Sequence, residues 1–484
     1  MSSAGPAGSE GPPAAPSPAV RAGLARGRAL FNRADFWGSH EAIEAAWHAA
    51  VPDDRPILQG LIQAGAAFHK FVVQDNPTGA RRLLVRALAR LDRVPDGRFG
   101  LALAPFRAQL RQWADRLGND PSMTGPVVGL PRLEWAPSMG AEAMSVDAVR
   151  LHEVRVRDRR AMLVAVEAEG TTGWGECRMQ WETHGLWSSL TDALAPALLT
   201  EPVAMPSELS VIWSGLVLNP CAEAGLEAAL WDVWARRNGV SLAAALAIVA
   251  RPVVLLGRVV GAELDQLRAS LTARLAEGYR HLIVPARPNA DRRVVPQLIA
   301  DCPVPVAVEL GAAYRPSDVK ALQALDDIGL RWMAQPVAPW NLADAITLTR
   351  WLATPVSMGG WVAEEQAAGG LALKALDVLH VDPGVTGLAE AARIGALAAA
   401  RAVPMWVAGS ATTTVGAAAD LALAAHPGVT LPSDIGLVEP VGDGVAIGPD
   451  GGGTARPEWG VGLGVVPSEA WLEAVTVRRA AFRA

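Results

Sequence analysis

Apolar positions return with two different rhythms along this chain. From about Gly23 to Leu117 the rhythm is helical. Phe36, Ile43 and Trp47 fall on one face, and Ile57, Leu58, Leu61, Ile62, Phe68 and Val72 on a second. Leu83, Leu84, Ala87 and Leu91 mark a third, opened by Asn76-Pro77 as N-cap and first helical residue. A fourth run extends from about Phe99 to Leu117. Short connections predict an antiparallel all-α helical bundle. Val149 to Val156 and Ala161 to Val166 then alternate as strands, and Gly173-Trp174-Gly175-Glu176 closes a hairpin-like unit. From about Pro252 short apolar strands recur near Val253, Leu282, Pro305, Leu330, Pro355, Val378 and Pro404, a step of about 25 residues, with helical patterns between them. Repeated βα units of that kind predict a doubly wound sheet or a closed barrel. Seven in a row without a glycine-rich phosphate fingerprint favour the barrel.

Composition changes this picture mainly at the joints. Residues 1–22 are rich in Pro, Ala, Ser and Gly and read as a disordered tail, and residues 118–145 read as a linker. The net charge of −6 is spread without a basic stripe, so no nucleic-acid partner is expected. The longest uncharged run, Val403 to Ala419, is broken by glycines and threonines, so no membrane span is expected. The start of the chain has no apolar signal-peptide core. Cys177, Cys221 and Cys302 are widely spaced and odd in number, which argues against a disulfide framework or a cysteine zinc site and fits a cytoplasmic protein.

Several short motifs occur in an order that resembles one superfamily. Gly173-Trp174-Gly175-Glu176-Cys177, Gly225-Leu226-Glu227-Ala228-Ala229-Leu230-Trp231-Asp232, Gly278-Tyr279-Arg280, Ala334-Gln335-Pro336, Asp382-Pro383-Gly384, Leu421-Ala422-Leu423-Ala424 and Leu431-Pro432-Ser433-Asp434-Ile435 follow one another across residues 146–484. Together they resemble the enolase superfamily, of the o-succinylbenzoate synthase and muconate cycloisomerase type. The resemblance implies an α+β capping domain over 146–215, a TIM-like (β/α) barrel over 216–440, and a segment over 441–484 that returns to the capping domain. In that family a lysine pair on the second barrel strand and a lysine on the sixth work with Mg²⁺ held by acids on the third, fourth and fifth. An enediolate formed beside a carboxylate needs such a cation. The resemblance places Ile283 and Pro285 at the lysine pair, Asp382 at the sixth-strand lysine, and Glu309, Ala334 and Gly359 at the metal ligands. Lysine occurs only at Lys70, Lys320 and Lys374, outside the predicted strands. No metal is therefore expected in the barrel, with Mg²⁺ the cofactor only if the family activity is retained.

Arg287, Glu309, Gln335, His380 and Asp382 remain as a polar set at the predicted barrel mouth. They suit either mutual pairing, such as Arg287 with Glu309 or Asp382, or a small-carboxylate site with Arg287 as anion clamp. Thr412 and Thr413 lie in a turn whose backbone N–H groups suit a carboxylate. Phe31 to Trp47, with Gln59 to Gln63, His69 and Gly79 to Leu83, resembles a small bacterial helical family, domain of unknown function 309. There His40 and Glu44 share one helix face and His69 lies on the next helix, a set that suits a metal or a buried polar network. Three readings stand: a non-catalytic binding or scaffold protein, an active o-succinylbenzoate synthase or related lyase of menaquinone biosynthesis with a non-standard site, or an activity located in the helical domain.

Overall fold

The computed structural model describes residues 18–484 apart from 33, 95–98, 100, 102, 121–122, 124–129, 134–143, 180–184, 201, 204, 210–212, 214–218, 289–290, 301, 437, 442–446 and 458–459. Two units emerge, Met1–Ala143 with Ser207–Ser214 and Met144–Pro206 with Gly215–Ala484. Among the described residues the first holds the helices α1 Pro18–Asn32, α2 Phe36–Ala49, α3 Arg55–Val72, α4 Pro77–Leu91 and α5 Leu103–Asn119. An aromatic cluster joins four of them. Phe31 meets Phe36 at 5.1 Å and Phe106 at 5.4 Å, and Phe68 meets Trp113 at 5.6 Å, each edge to face. The side chains of Asp35 and Asn76 cap α2 and α4, and Pro77 opens α4.

Sequence and structure differ here in four places. Residues 18–22, expected in the tail, open α1, because Val20 and Leu24 extend its buried face; residues 1–17 of that tail lie outside the described residues. The last helix starts at Leu103 rather than Phe99, whose φ of +60° is incompatible with a right-handed helix. Val72 faces outward, and Phe71 takes the buried position beside it. Most of the expected linker, 118–145, lies outside the described residues, and residues 118 and 119 complete α5.

The second unit begins with a meander, β1 Val146–Val156, β2 Arg159–Ala168 and β3 Thr171–Arg178. The C-terminal strand Thr476–Arg483 returns to pair antiparallel with β1. β1 and β2 are joined by Arg157 and Asp158 alone, with Arg157 at φ +55°. Helix α6, Pro220–Arg237, lies against β3 at backbone distance. A Cβ at Gly173 would sit 2.4 Å from the Ala229 carbonyl oxygen, and one at Gly175 only 2.0 Å from that of Gly225. Both glycine-bearing motifs therefore serve close packing. Glu227 caps the helix Leu388–Arg401 through the N–H groups of Leu388 and Ala389, and Asp232 accepts from Trp174 and Leu463.

Seven parallel strands form the barrel sheet in sequence order: Gly257–Arg258, Leu282–Pro285, Val306–Glu309, Met333–Ala334, Val356–Met358, Val378–Val381 and Met405–Val407. Closure comes from an eighth segment around Ser433 and Asp434. It bridges Leu255 on one side and Ala408 on the other, both in parallel. The strand expected near Val253 splits in two: Val253–Val254 pairs antiparallel with Thr454–Ala455, and the barrel proper starts at Gly257. Among the described residues no helix is long and apolar enough to cross a membrane.

Because the Gly175 position is closed by backbone on the facing helix, Gly175→Ala should cost about 3 kcal/mol or more. Gly369→Ala, in the helix Glu364–Ala372 with open space around it, should be neutral or slightly stabilising. Urea midpoints of the two variants check this pair.

Candidate functional site

The interior of the barrel is filled by hydrocarbon. Leu256, Ile283, Ala307, Trp332, Ala334, Val378 and Trp406 form one buried cluster. The Trp332 and Trp406 rings stand 5.7 Å apart at 44°. Ile283 and Ala334, assigned by resemblance to a base and a metal ligand, both belong to this cluster. Pro285 ends the second strand beside Glu309, with which it is in register. Lys320 and Lys374 are exposed and lie outside the barrel strands.

Several polar atoms near this cluster are tied to one another, whereas Trp332 Nε1 is buried with no hydrogen-bond partner among the described residues. Trp406 Nε1 donates to Ser357 Oγ at 2.9 Å, and Ser357 Oγ stands 2.9 Å from His380 Nδ1. Full satisfaction requires Ser357 to donate to a neutral imidazole that carries its proton on Nε2. The His380 ring packs 5.0 Å from Trp406 and covers Gly359. A Cβ at Gly359 would meet His380 at 2.2 Å. The histidine thus fills the space into which a fifth-strand ligand would project.

Arg258 on the first strand donates to Asp434 at 2.6 Å. Asp434, the opposing charge, holds the Arg258 guanidinium above its ordinary pKa against the effect of burial. Glu309 accepts from the Gly311 N–H at 2.9 Å. Burial pushes its carboxyl up, and Arg258 and that N–H pull it back. Gln335, at φ +49°, donates to the Val337 carbonyl at 2.7 Å and accepts from the Gly359 N–H at 3.0 Å. The expected pairing of Arg287 with Glu309 or Asp382 does not form. Arg287 is exposed and passes over Gly311; among the described residues it makes no hydrogen bond or ion pair, and its charge only helps lower the Glu309 carboxyl from a distance.

Asp382 pairs with an arginine from β3 instead. Arg178 is 2% exposed. It holds Asp420 with two bonds of 2.6 and 2.8 Å, Glu176 at 3.1 Å and Asp382 at 3.5 Å. Asp382 also accepts from Ser410 Oγ and the Gly384 N–H. Burial would lower the Arg178 pKa, but Asp420, Asp382 and Glu176 hold it above its ordinary value. A Cβ at Gly416 or Gly384 would strike this guanidinium at 2.1 or 2.2 Å.

The turn expected to receive a ligand carboxylate already holds one. Glu176 Oε1 accepts from the Thr412 N–H at 2.7 Å, and Oε2 accepts from the Thr413 N–H at 2.9 Å and from Thr413 Oγ1 at 2.6 Å. Thr413 is the N-cap of helix α7, Thr414–Ala424, so a carboxylate suits the site. The tip of the β1–β2 hairpin adds Arg159, which donates to the Ala411 carbonyl at 2.7 Å, and Arg157, paired with Glu439 at 2.8 Å. The residues that shape this mouth are thus Glu176, Arg178, Arg258, Trp332, Trp406, Asp420 and Asp434. Glu176 and Asp434 stood inside recognised motifs; Trp332, Trp406 and the Arg178–Asp420 pair left no local sign. A cavity of about 180 Å³ opens at the opposite, N-terminal ends of the strands, lined by Arg251, His281, Arg331 and Pro432 among others. One of about 10 Å³ beside Arg178 and Asp420 has room for a single water.

In the helical unit His40 Nδ1 lies 3.9 Å from Glu44. His69 does not join them. Its ring lies 5.3 Å from Trp37, which stacks on His40, and Glu41 is the third group near His40.

Burial pushes His380 from its ordinary 6.5 down to about 3. The native state refuses a proton that the unfolded chain accepts between those values. This residue's contribution is therefore present above pH 6.5 and is lost as pH falls towards 3. Its share of the slope reaches about 1.4 kcal/mol per pH unit. His380→Gln should flatten the dependence of stability on pH in this window; equal slopes in variant and parent, measured by urea unfolding, would contradict the assignment.

Residues 142–246 match the mandelate racemase/muconate lactonizing enzyme N-terminal domain, 266–471 the enolase C-terminal domain-like family, and 24–83 a domain of unknown function, DUF309. An o-succinylbenzoate synthase of Geobacillus kaustophilus is 32% identical over 285 residues, 56% of this chain and 76% of that protein. An N-succinylamino acid racemase of Amycolatopsis is 30% identical over 339 residues, 66% of this chain and 91% of that protein. A solved enolase-superfamily member from Listeria innocua superposes with a TM-score of 0.63 at 19% identity, covering 70% of this chain and 99% of its own. A muconate cycloisomerase from Azorhizobium caulinodans gives 0.59 at 22% identity, covering 68% of this chain and 98% of its own. The chain therefore belongs to the enolase superfamily, among the relatives of o-succinylbenzoate synthases and N-succinylamino acid racemases.

Proposed function

We propose that the barrel is a non-catalytic enolase-superfamily scaffold that does not perform metal-assisted proton abstraction. The filled interior is the observation that carries this reading. Mg²⁺ takes near-octahedral oxygen ligands, and the resemblance offers it Glu309, Ala334 and Gly359. Ala334 belongs to the apolar cluster, and Gly359 is covered by His380. Glu309 is a single carboxylate bonded to its own loop. These residues do not fit Mg²⁺. A base has no better place, since Ile283 is buried against the tryptophans and Asp382 is held by Arg178, Ser410 and Gly384.

A small-carboxylate site at the mouth is disfavoured on the same ground. The Thr412 and Thr413 donors hold Glu176, so Arg287 would face an anion without them. The test is turnover. Purified protein should neither dehydrate the cyclohexadiene carboxylate substrate of o-succinylbenzoate synthases nor racemise N-succinylamino acids above a no-enzyme control, with or without Mg²⁺. Product formation that stops on chelation and in Glu309→Gln would overturn the reading.

A further inference from the structure

Helix α2 carries a second, independent constellation. His40 Nδ1 stands 3.4 Å from Glu41 Oε1 and 3.9 Å from Glu44 Oε2. The ligand-capable atoms of the three residues all lie within 4.8 Å of one another. His40 Nδ1 is shielded from solvent yet takes part in no hydrogen bond. A buried polar atom left in that state carries an uncompensated desolvation cost. The two carboxylates crowd each other, and among the described residues neither has a lysine or arginine partner. The Trp37 indole lies flat on the imidazole, with ring centres 5.0 Å apart and planes 3° apart, and so fixes its orientation. An unpartnered nitrogen aimed at two uncompensated carboxylates is an arrangement that a cation would complete.

We propose that His40, Glu41 and Glu44 bind a divalent transition-metal ion of the zinc class. One imidazole nitrogen with two carboxylate oxygens suits Zn²⁺ better than Mg²⁺, which prefers oxygen alone. Atoms bound tetrahedrally to Zn²⁺ at about 2.1 Å lie about 3.4 Å apart. The His40–Glu41 spacing meets that value, and Glu44, 46% exposed, needs only a small swing. Three protein ligands leave the fourth position open to water, the pattern of metal sites that meet a substrate. His69, across Trp37 on α3, lies outside this ligand set.

The experiment is calorimetric titration of the full-length, chelator-stripped protein with Zn²⁺, alongside Co²⁺ absorption spectra. One ion per chain is expected, with affinity reduced at least tenfold in His40→Ala and in Glu44→Gln. His48→Ala, an exposed histidine on the same helix, should bind as the parent does. Glu44→Gln changes a half-exposed side chain, so it remains decisive if circular dichroism shows that His40→Ala has lost helix. Uptake well below one ion per chain, or binding unchanged in Glu44→Gln, would overturn the proposal.

Discussion

Arg178 is buried among Asp420, Glu176 and Asp382, and the second unit is organised around that fact. Removing a guanidinium from water costs several kcal/mol unless its donors are matched. Here the two-pronged bond to Asp420 and the contacts to Glu176 and Asp382 surround it with opposite charge, although Nε, 3.5 Å from Asp382, makes no hydrogen bond. Each partner belongs to a different element: β3 for Glu176, the end of the sixth barrel strand for Asp382, and helix α7 for Asp420. Replacing Arg178 would leave three carboxylates in the interior, a loss on the order of 3–5 kcal/mol. The network thus ties the capping sheet to the barrel, with Gly384 and Gly416 leaving room for the guanidinium.

That tie shapes the site. To place Arg178, β3 also places Glu176, whose carboxylate settles on the Thr412–Thr413 turn at the start of α7. The hairpin before it ends in a two-residue turn, and its arginines bond to the Ala411 carbonyl and to Glu439. Beneath, Trp332, Trp406, Ile283 and His380 fill the space between strands. These contacts hold the hairpin, the turn and the barrel interior in place. Each also takes a donor or a volume that ligand chemistry would need.

The barrel was legible because its apolar strands recur at a near-constant step, and the family was legible because its motifs keep their order. What those motifs do was not legible. The glycines of the Gly173–Glu176 segment and of α6 proved to be points of backbone contact, Glu227 proved to be a helix cap, and Asp232 an acceptor for the Trp174 and Leu463 N–H groups. Arg287 looked like the mouth cation because it follows a strand in sequence. Arg178 holds that role, 242 positions from Asp420, and no local pattern connects such a pair. Helix α1 was missed in part because its Pro, Ala and Gly content masks the buried Val20 and Leu24. In the helical unit the i, i+4 spacing found His40 and Glu44, but side-chain reach brought in Glu41 instead of His69.

In the proposed reading the barrel's own side chains stand where the family holds its metal. Mg²⁺ calorimetry on the full-length protein, in a Glu44→Gln background that removes one of the proposed α2 ligands, tests this. No saturable heat is expected at millimolar Mg²⁺; one-to-one binding that disappears when Glu309→Ala is added would show that the barrel still holds the metal.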